Sequence, residues 1–397
     1  MNTLSRVCIL TSSLSLALSC YGEDPGQLKS GVLAPPAGSG VQLRLDVDVP
    51  PGAEREYCQF FQTGDEELLV NHDQVRFTDG TQYVVLWTTS YSQIPDGVRE
   101  PFDCSTGVLN AWSITGLLAG SQRAFGLSAL SLPEGVAVRL PARSVLLAEV
   151  RQTNASAERL HARADINLFT ISASELKEEG GLLFWNNPYL KLPARDEIRM
   201  TASCPVTDDI VVVNSQSHMH ARGVGYEAVL QDPDGSRRQI YANEHWKDVP
   251  VRQYDPELAI AKGSRIAWSC DYANGGDHVI YQGPRSGDEM CMFIASYYPR
   301  NDRIGYCESD DSFAARWTGA EWSIGRGSAS CAQTLECVRA GIAKTAPERR
   351  TPMVTDCMSE SSPAVESVLS RAVGCMAAHG EDTASACAAE LEACRQQ

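Results

Sequence analysis

Val41, Leu43, Leu45, Val47 and Val49 alternate with polar residues, the period-two pattern of a strand that buries one face. Shorter stretches of the same kind recur at 67–70, 83–88, 145–150 and 164–171, separated by Gly, Pro and Asp clusters and by no long helical period. The spacing predicts an antiparallel β-sandwich over residues 41–190. A link at 192–204 leads into a second β-rich unit, residues 191–327. There the β-branched run Ile210 to Val213 precedes Ser217-His218-Met219-His220, and a further strand-like segment spans 290–298. Beyond residue 327 the pattern changes to an Ala/Glu/Ser/Arg-rich stretch with six cysteines (Cys331, Cys337, Cys357, Cys375, Cys387, Cys394). Residues 388–393 have high helix propensity, and Cys387 and Cys394, seven apart, fall on one helical face. The expected fold class is mainly β: two consecutive antiparallel β-sandwich domains and, over 328–397, a small α-helical tail stapled by disulfides.

The length of 397 residues suits two domains and a tail, and 43% hydrophobic against 21% charged residues suits packed cores. A formal net charge of −16 argues against nucleic acid or an anionic membrane surface as partner. Residues 1–19 read as an export signal. Arg6 precedes an apolar run from Val7 to Leu18, too short for a permanent bilayer anchor. It ends Ala17-Leu18-Ser19-Cys20, which resembles a bacterial lipobox with Ala17 where Leu is usual. Lipidation of Cys20 is expected, with plain cleavage after Ser19 as the alternative. Residues 20–40, rich in Pro and Gly, then serve as a tether. Of the 14 cysteines, Cys8 leaves with the signal and Cys20 takes the lipid, so an even number remains for disulfides in an oxidising compartment. Cys58 and Cys104 stand alone in the first unit and are expected to pair. The implied location is the bacterial cell envelope, with the membrane touched only through the lipid.

On a strand, residues two apart share a face, so His218 and His220 are expected to project together while Met219 points away. Alone, a His-x-His is more often structural, and Met290 alone is core filling. Together, two imidazoles and a thioether suit a soft ion that tolerates nitrogen, and copper is the first candidate; zinc rarely takes a thioether. His72 and His161 read as surface or cap residues, His278 as a turn residue, and His245 as at most a rim residue.

The ordered set His218-Met219-His220, Gly223, Cys270, Asp288-Glu289-Met290-Cys291 and Tyr297-Tyr298-Pro299 resembles the type II copper, ascorbate-dependent monooxygenases, such as peptidylglycine α-hydroxylating monooxygenase and dopamine β-monooxygenase. The resemblance spans roughly residues 41 to 327 by element order and implies two jelly-roll-like sandwiches. It implies a copper held by His218, His220 and Met290, where oxygen is activated and a substrate C–H bond is attacked. It also implies the disulfides Cys204–Cys307 and Cys270–Cys291, where counting alone leaves three pairings open. The family's first domain carries a second copper on a His-His pair and a third His. The matching positions here are Gln82-Tyr83 and Arg151, so that copper is expected to be absent. The added positive charge of Arg151 would itself disfavour a cation, and neither His72 nor His161 restores the site. The carboxylate anchor of the peptide-amidating members corresponds to Gln216, Met292 and Ile294, which favours a less charged substrate.

Three functions fit. The preferred one is a copper oxidoreductase that hydroxylates a C–H bond of a small organic molecule, with ascorbate or another reductant. Its weak point is electrons, since one copper gives one and monooxygenation needs two. Close behind is a non-catalytic copper-binding envelope lipoprotein for trafficking, buffering or sensing, served by a copper-delivery partner. The third is an interaction module on the same scaffold.

Overall fold

The alternating segment at the start of the chain forms the strand Gly40–Val49, paired with Leu160–Thr170 from Gly40↔Phe169 to Val49↔Leu160. The computed structural model describes residues 34–35, 37–98, 101–123, 128–305, 307, 319–379 and 383–397. The expected export signal and lipidated Cys20 lie outside the described residues.

The first sandwich has two five-stranded layers. One runs Gly40–Val49, Leu160–Thr170, Leu68–Phe77, Val136–Leu140, Glu178–Glu179, and the other Phe102–Asp103, Glu54–Gln62, Val145–Thr153, Thr81–Thr89, Ile114–Ser121. Leu45, Val75, Leu86, Leu146 and Ile166 fill the space between them. The Val145–Thr153 strand is buried on both faces. Leu146, Ala148 and Val150 join the inter-sheet core, while Val145 and Leu147 join an outer cluster with Phe60, Trp87 and the disulfide-bonded Cys58 and Cys104. By the same alternation Glu149 and Arg151 share the outer face, which turns toward the second sandwich.

In the second sandwich a four-stranded layer (Gly181–Asn186, Met292–Tyr298, Ile210–His218, Arg252–Ile260) faces a five-stranded one (Arg237–Asn243, Gly223–Gln231, Arg265–Asn274, Asp196–Pro205, Glu321–Ser323). Gly181–Asn186 hydrogen-bonds to Met292–Tyr298, so this unit begins before residue 191. An apolar run such as Leu182-Leu183-Phe184-Trp185 has no period that assigns it to one sheet or the other. Disulfides join Cys204 to Cys307 and Cys270 to Cys291.

The tail helices Cys331–Ile342, Arg350–Ser359, Glu366–His379 and Ala388–Arg395 are tied by Cys331–Cys394, Cys337–Cys357 and Cys375–Cys387. A capping box between Ser330 and Gln333 starts the first of them. Val338, Leu369, Val373 and Leu391 share one buried cluster with Trp268 and Trp322 of the second sandwich, and the Ser370 hydroxyl accepts the Trp322 backbone N–H at 2.9 Å. Among the described residues no helix is long and apolar enough to cross a membrane.

Candidate metal centre and cavity

The strand Ile210–His218 breaks register with both neighbours between Val212 and Asn214. Before the break, Ile210 and Val212 enter the core of the second sandwich. After it, Gln216 and His218 line a cavity between the sandwiches, while Ser217 turns inward to accept from Asn243 Nδ2 at 3.1 Å. A bulge inserts one residue and reverses the side-chain phase. Without it, His218 would project into the second sandwich's own core.

The strand ends at His218, which corrects the expectation that both histidines share one strand face. His220 sits in a turn closed by the Gly223 N–H to its carbonyl at 3.0 Å. The rings still meet, their centroids 5.3 Å apart and their planes nearly perpendicular. Met219 packs beneath the turn, and a Cβ at Gly223 would come within 2.8 Å of its Cβ and Sδ, so glycine lets the chain close there. Met290 likewise precedes its strand, which begins at Met292. Its carbonyl accepts the Tyr272 hydroxyl at 2.7 Å, and the adjacent Cys291 is bonded to Cys270.

Each imidazole is held at Nδ1. His218 Nδ1 lies 2.6 Å from Gln122 Oε1, and His220 Nδ1 lies 3.0 Å from the Asp288 carbonyl. The Glu289 carboxylate accepts the backbone N–H groups of His220 (2.9 Å) and Arg222 (2.8 Å), binding the turn to the segment that carries Met290. Burial lowers the His218 pKa well below the usual range, helped by His220 and Arg151, and burial lowers His220 to about 4. Both rings are therefore neutral at pH 7, with the proton on Nδ1 and a lone pair on Nε2. His220 Nε2 is buried without a hydrogen-bond partner. Leaving such an atom unpaired costs about 1–3 kcal/mol, a cost that a bound cation would offset.

Met290 lines the same cavity as His218, and the His220 ring stands against His218. Among the described residues no group of three or more His, Cys, Asp or Glu side chains could hold a metal ion. The set here is different in kind, two nitrogens and one soft sulfur, and its chemistry suits copper(I).

The cavity measures about 320 Å³ and is lined by Gln216, Met292 and Ile294 with Val85, Trp87, Leu117 and Phe184. Its far wall is the first sandwich. Tyr83 and Arg151 are cross-strand partners there, and the Tyr83 ring stands edge-on to His218 at 5.9 Å. Arg151 pairs with Glu56 at 2.7 Å and Glu54 at 3.1 Å and donates across the interface to the Pro284 carbonyl. Gln82 turns elsewhere, to Thr153 Oγ1 at 3.0 Å. Glu149 accepts from Trp87 Nε1 (2.8 Å) and the Tyr83 hydroxyl (3.1 Å). Burial, then the neighbouring Glu56, pushes Glu149 up to about 7. His72 stacks on Phe169, His161 lies beside Asp46 and Asp48, and His278 lies beside Asp277. Gln122, Glu56 and Glu149 carry no local sequence signal for these roles, whereas Glu289 stands inside the Asp-Glu-Met-Cys run.

No curated protein matches the chain. Two solved structures, the infectious bursal disease virus Gx strain and T=1 particles derived from infectious bursal virus, cover 72% of it at 10% and 12% identity. Those alignments take in 76% and 74% of the viral chains, and TM-scores of 0.18 and 0.19 carry no argument about fold or function. Residues 183–318, which contain Gln216, His218, His220, Met290, Met292 and Ile294, match the family model of the copper type II ascorbate-dependent monooxygenase, C-terminal domain.

Proposed function

We propose that the protein is a copper-binding oxidoreductase that hydroxylates a C–H bond of a small, weakly charged organic molecule in the cavity between its sandwiches. The observation that carries this reading is a pair of neutral imidazoles, engaged at Nδ1 and free at His220 Nε2, in a family-matched stretch whose Met290 lines the same cavity as His218. Copper held by His218, His220 and Met290 would supply oxygen activation and one-electron chemistry. The chain's own residues do the rest. The imidazoles need shed no proton to act as ligands. Val85, Trp87, Phe184, Met292 and Ile294 form walls that bind an apolar body and keep water away. Arg151, engaged by Glu54 and Glu56, offers no open guanidinium to a substrate carboxylate. A reductant such as ascorbate completes the electron count. Six disulfides among the described residues support an exported setting, and lipid anchoring at Cys20 in the cell envelope belongs to the same proposal.

The Tyr83–Arg151–Glu56 cluster, standing where the resemblance puts a second copper, favours one further reading: copper is bound for trafficking or buffering without turnover. Oxygen uptake by copper-loaded protein with ascorbate and a panel of uncharged small molecules separates the two. The oxidoreductase reading expects substrate-dependent uptake that His218→Ala abolishes. Equal uptake in the variant overturns it, and copper binding with no uptake in either protein supports storage.

A further inference from the structure

Resting on the copper reading above, we propose that Gln122 is a positioning residue of the metal centre. Supplied by the first sandwich, it fixes His218 as the Nδ1–H tautomer, so that Nε2 is the ligand nitrogen and the centre is complete only when the two sandwiches are docked. The amide orientation follows from its other contacts. Gln122 Nε2 donates to the Ser217 carbonyl at 2.8 Å, a group that can only accept, and to Gln216 Oε1 at 3.2 Å. Its Oε1 therefore faces His218 Nδ1 at 2.6 Å, and a carbonyl oxygen there demands a proton on Nδ1.

The stem that carries Gln122 is pinned. Buried Asp73 accepts the backbone N–H of Gly120 at 2.9 Å and of Leu130 at 3.2 Å. The Ala129 N–H reaches the Gly120 carbonyl at 2.7 Å. Ser121 Oγ donates to the Arg123 carbonyl at 2.8 Å. The two candidate ligands are thus set in different ways. His220 is oriented by Asp288 of its own sandwich, and His218 by a side chain that reaches across the interface. A partner that holds the far nitrogen of a metal-bound imidazole fixes both ring orientation and basicity. This gives the first sandwich a part in the centre that needs no metal of its own.

The test uses the full chain and has two readouts. In metal-free protein, nitrogen-15 ring shifts of His218, assigned by their loss in His218→Ala, should report a proton on Nδ1. Gln122→Leu should convert that signal to a tautomer mixture and weaken copper(I) binding by about 10–100-fold in a competition titration. Gln122→Glu, which keeps an acceptor, should restore the Nδ1–H form and most of the affinity. If the Leu variant does not fold, Gln122→Ala takes its place. A wild-type tautomer with wild-type affinity in the Leu or Ala variant overturns the proposal. A tautomer that follows Gln122 in a protein that binds no copper sinks the copper reading and leaves the imidazole's orientation with Gln122.

Discussion

Arg151 is a buried guanidinium that survives because two carboxylates meet it. Arg151→Met would leave Glu56, 3% exposed, without its cationic partner, at a cost of about 3–5 kcal/mol. The double variant Arg151→Met/Glu56→Leu should recover most of that loss in urea denaturation. Glu149 gives a second expectation. It keeps its proton up to about pH 7 in the fold, against 4.5 for the ordinary group. The folded state binds more protons between those values, so this group's contribution is full below about 4.5 and is lost as pH rises through about 7. The loss is on the order of 3 kcal/mol, and Glu149→Gln should flatten that slope in unfolding measured across the window. At this scale the sequence is legible only in part. Tyr83 and Arg151 stand out as departures from a motif, but their partner Glu56 sits directly across from Arg151 on the neighbouring strand and is distant from both in sequence. Gln122 acts across an interface that no local period marks.

Among elements, the strands announce themselves by alternation, and the places where alternation fails are the places that build the site. His218 faces the cavity because of a bulge near Val213, and His220 joins it from a turn, so the juxtaposition expected from a continuous strand arises another way. Met290 stands just outside its strand, held by Tyr272 and by the Cys270–Cys291 bond. Replacing both cysteines of that bond with Ala should cost about 2–4 kcal/mol and also weaken copper(I) binding. The same replacement at Cys58 and Cys104, in an outer cluster of the first sandwich, should lower stability by a comparable amount and leave copper affinity unchanged. Paired thermal unfolding and copper titrations read both effects.

In the whole molecule, the two-sandwich plan and the helical tail follow from residue patterns and cysteine spacing. The boundary near residue 180 does not, because fully buried strands read alike in either unit. The tail is no appendage. Its helices bury Trp322 and share the core of the second sandwich, and Asp356 takes both Tyr281 (2.8 Å) and Lys191 (2.9 Å) beneath the ribbon that leads to Gln282 and the cavity. A chain ended after residue 327 should therefore lose the near-ultraviolet signature of a packed second sandwich and yield little soluble protein. The central claim is a single copper(I) gripped by two imidazoles and one thioether, and X-ray absorption at the copper edge of the loaded full chain tests it most directly. The account predicts one copper per chain with nitrogen and sulfur neighbours, and a sulfur shell that vanishes in Met290→Ile. Two coppers per chain, or a spectrum without sulfur in the wild-type protein, would contradict it.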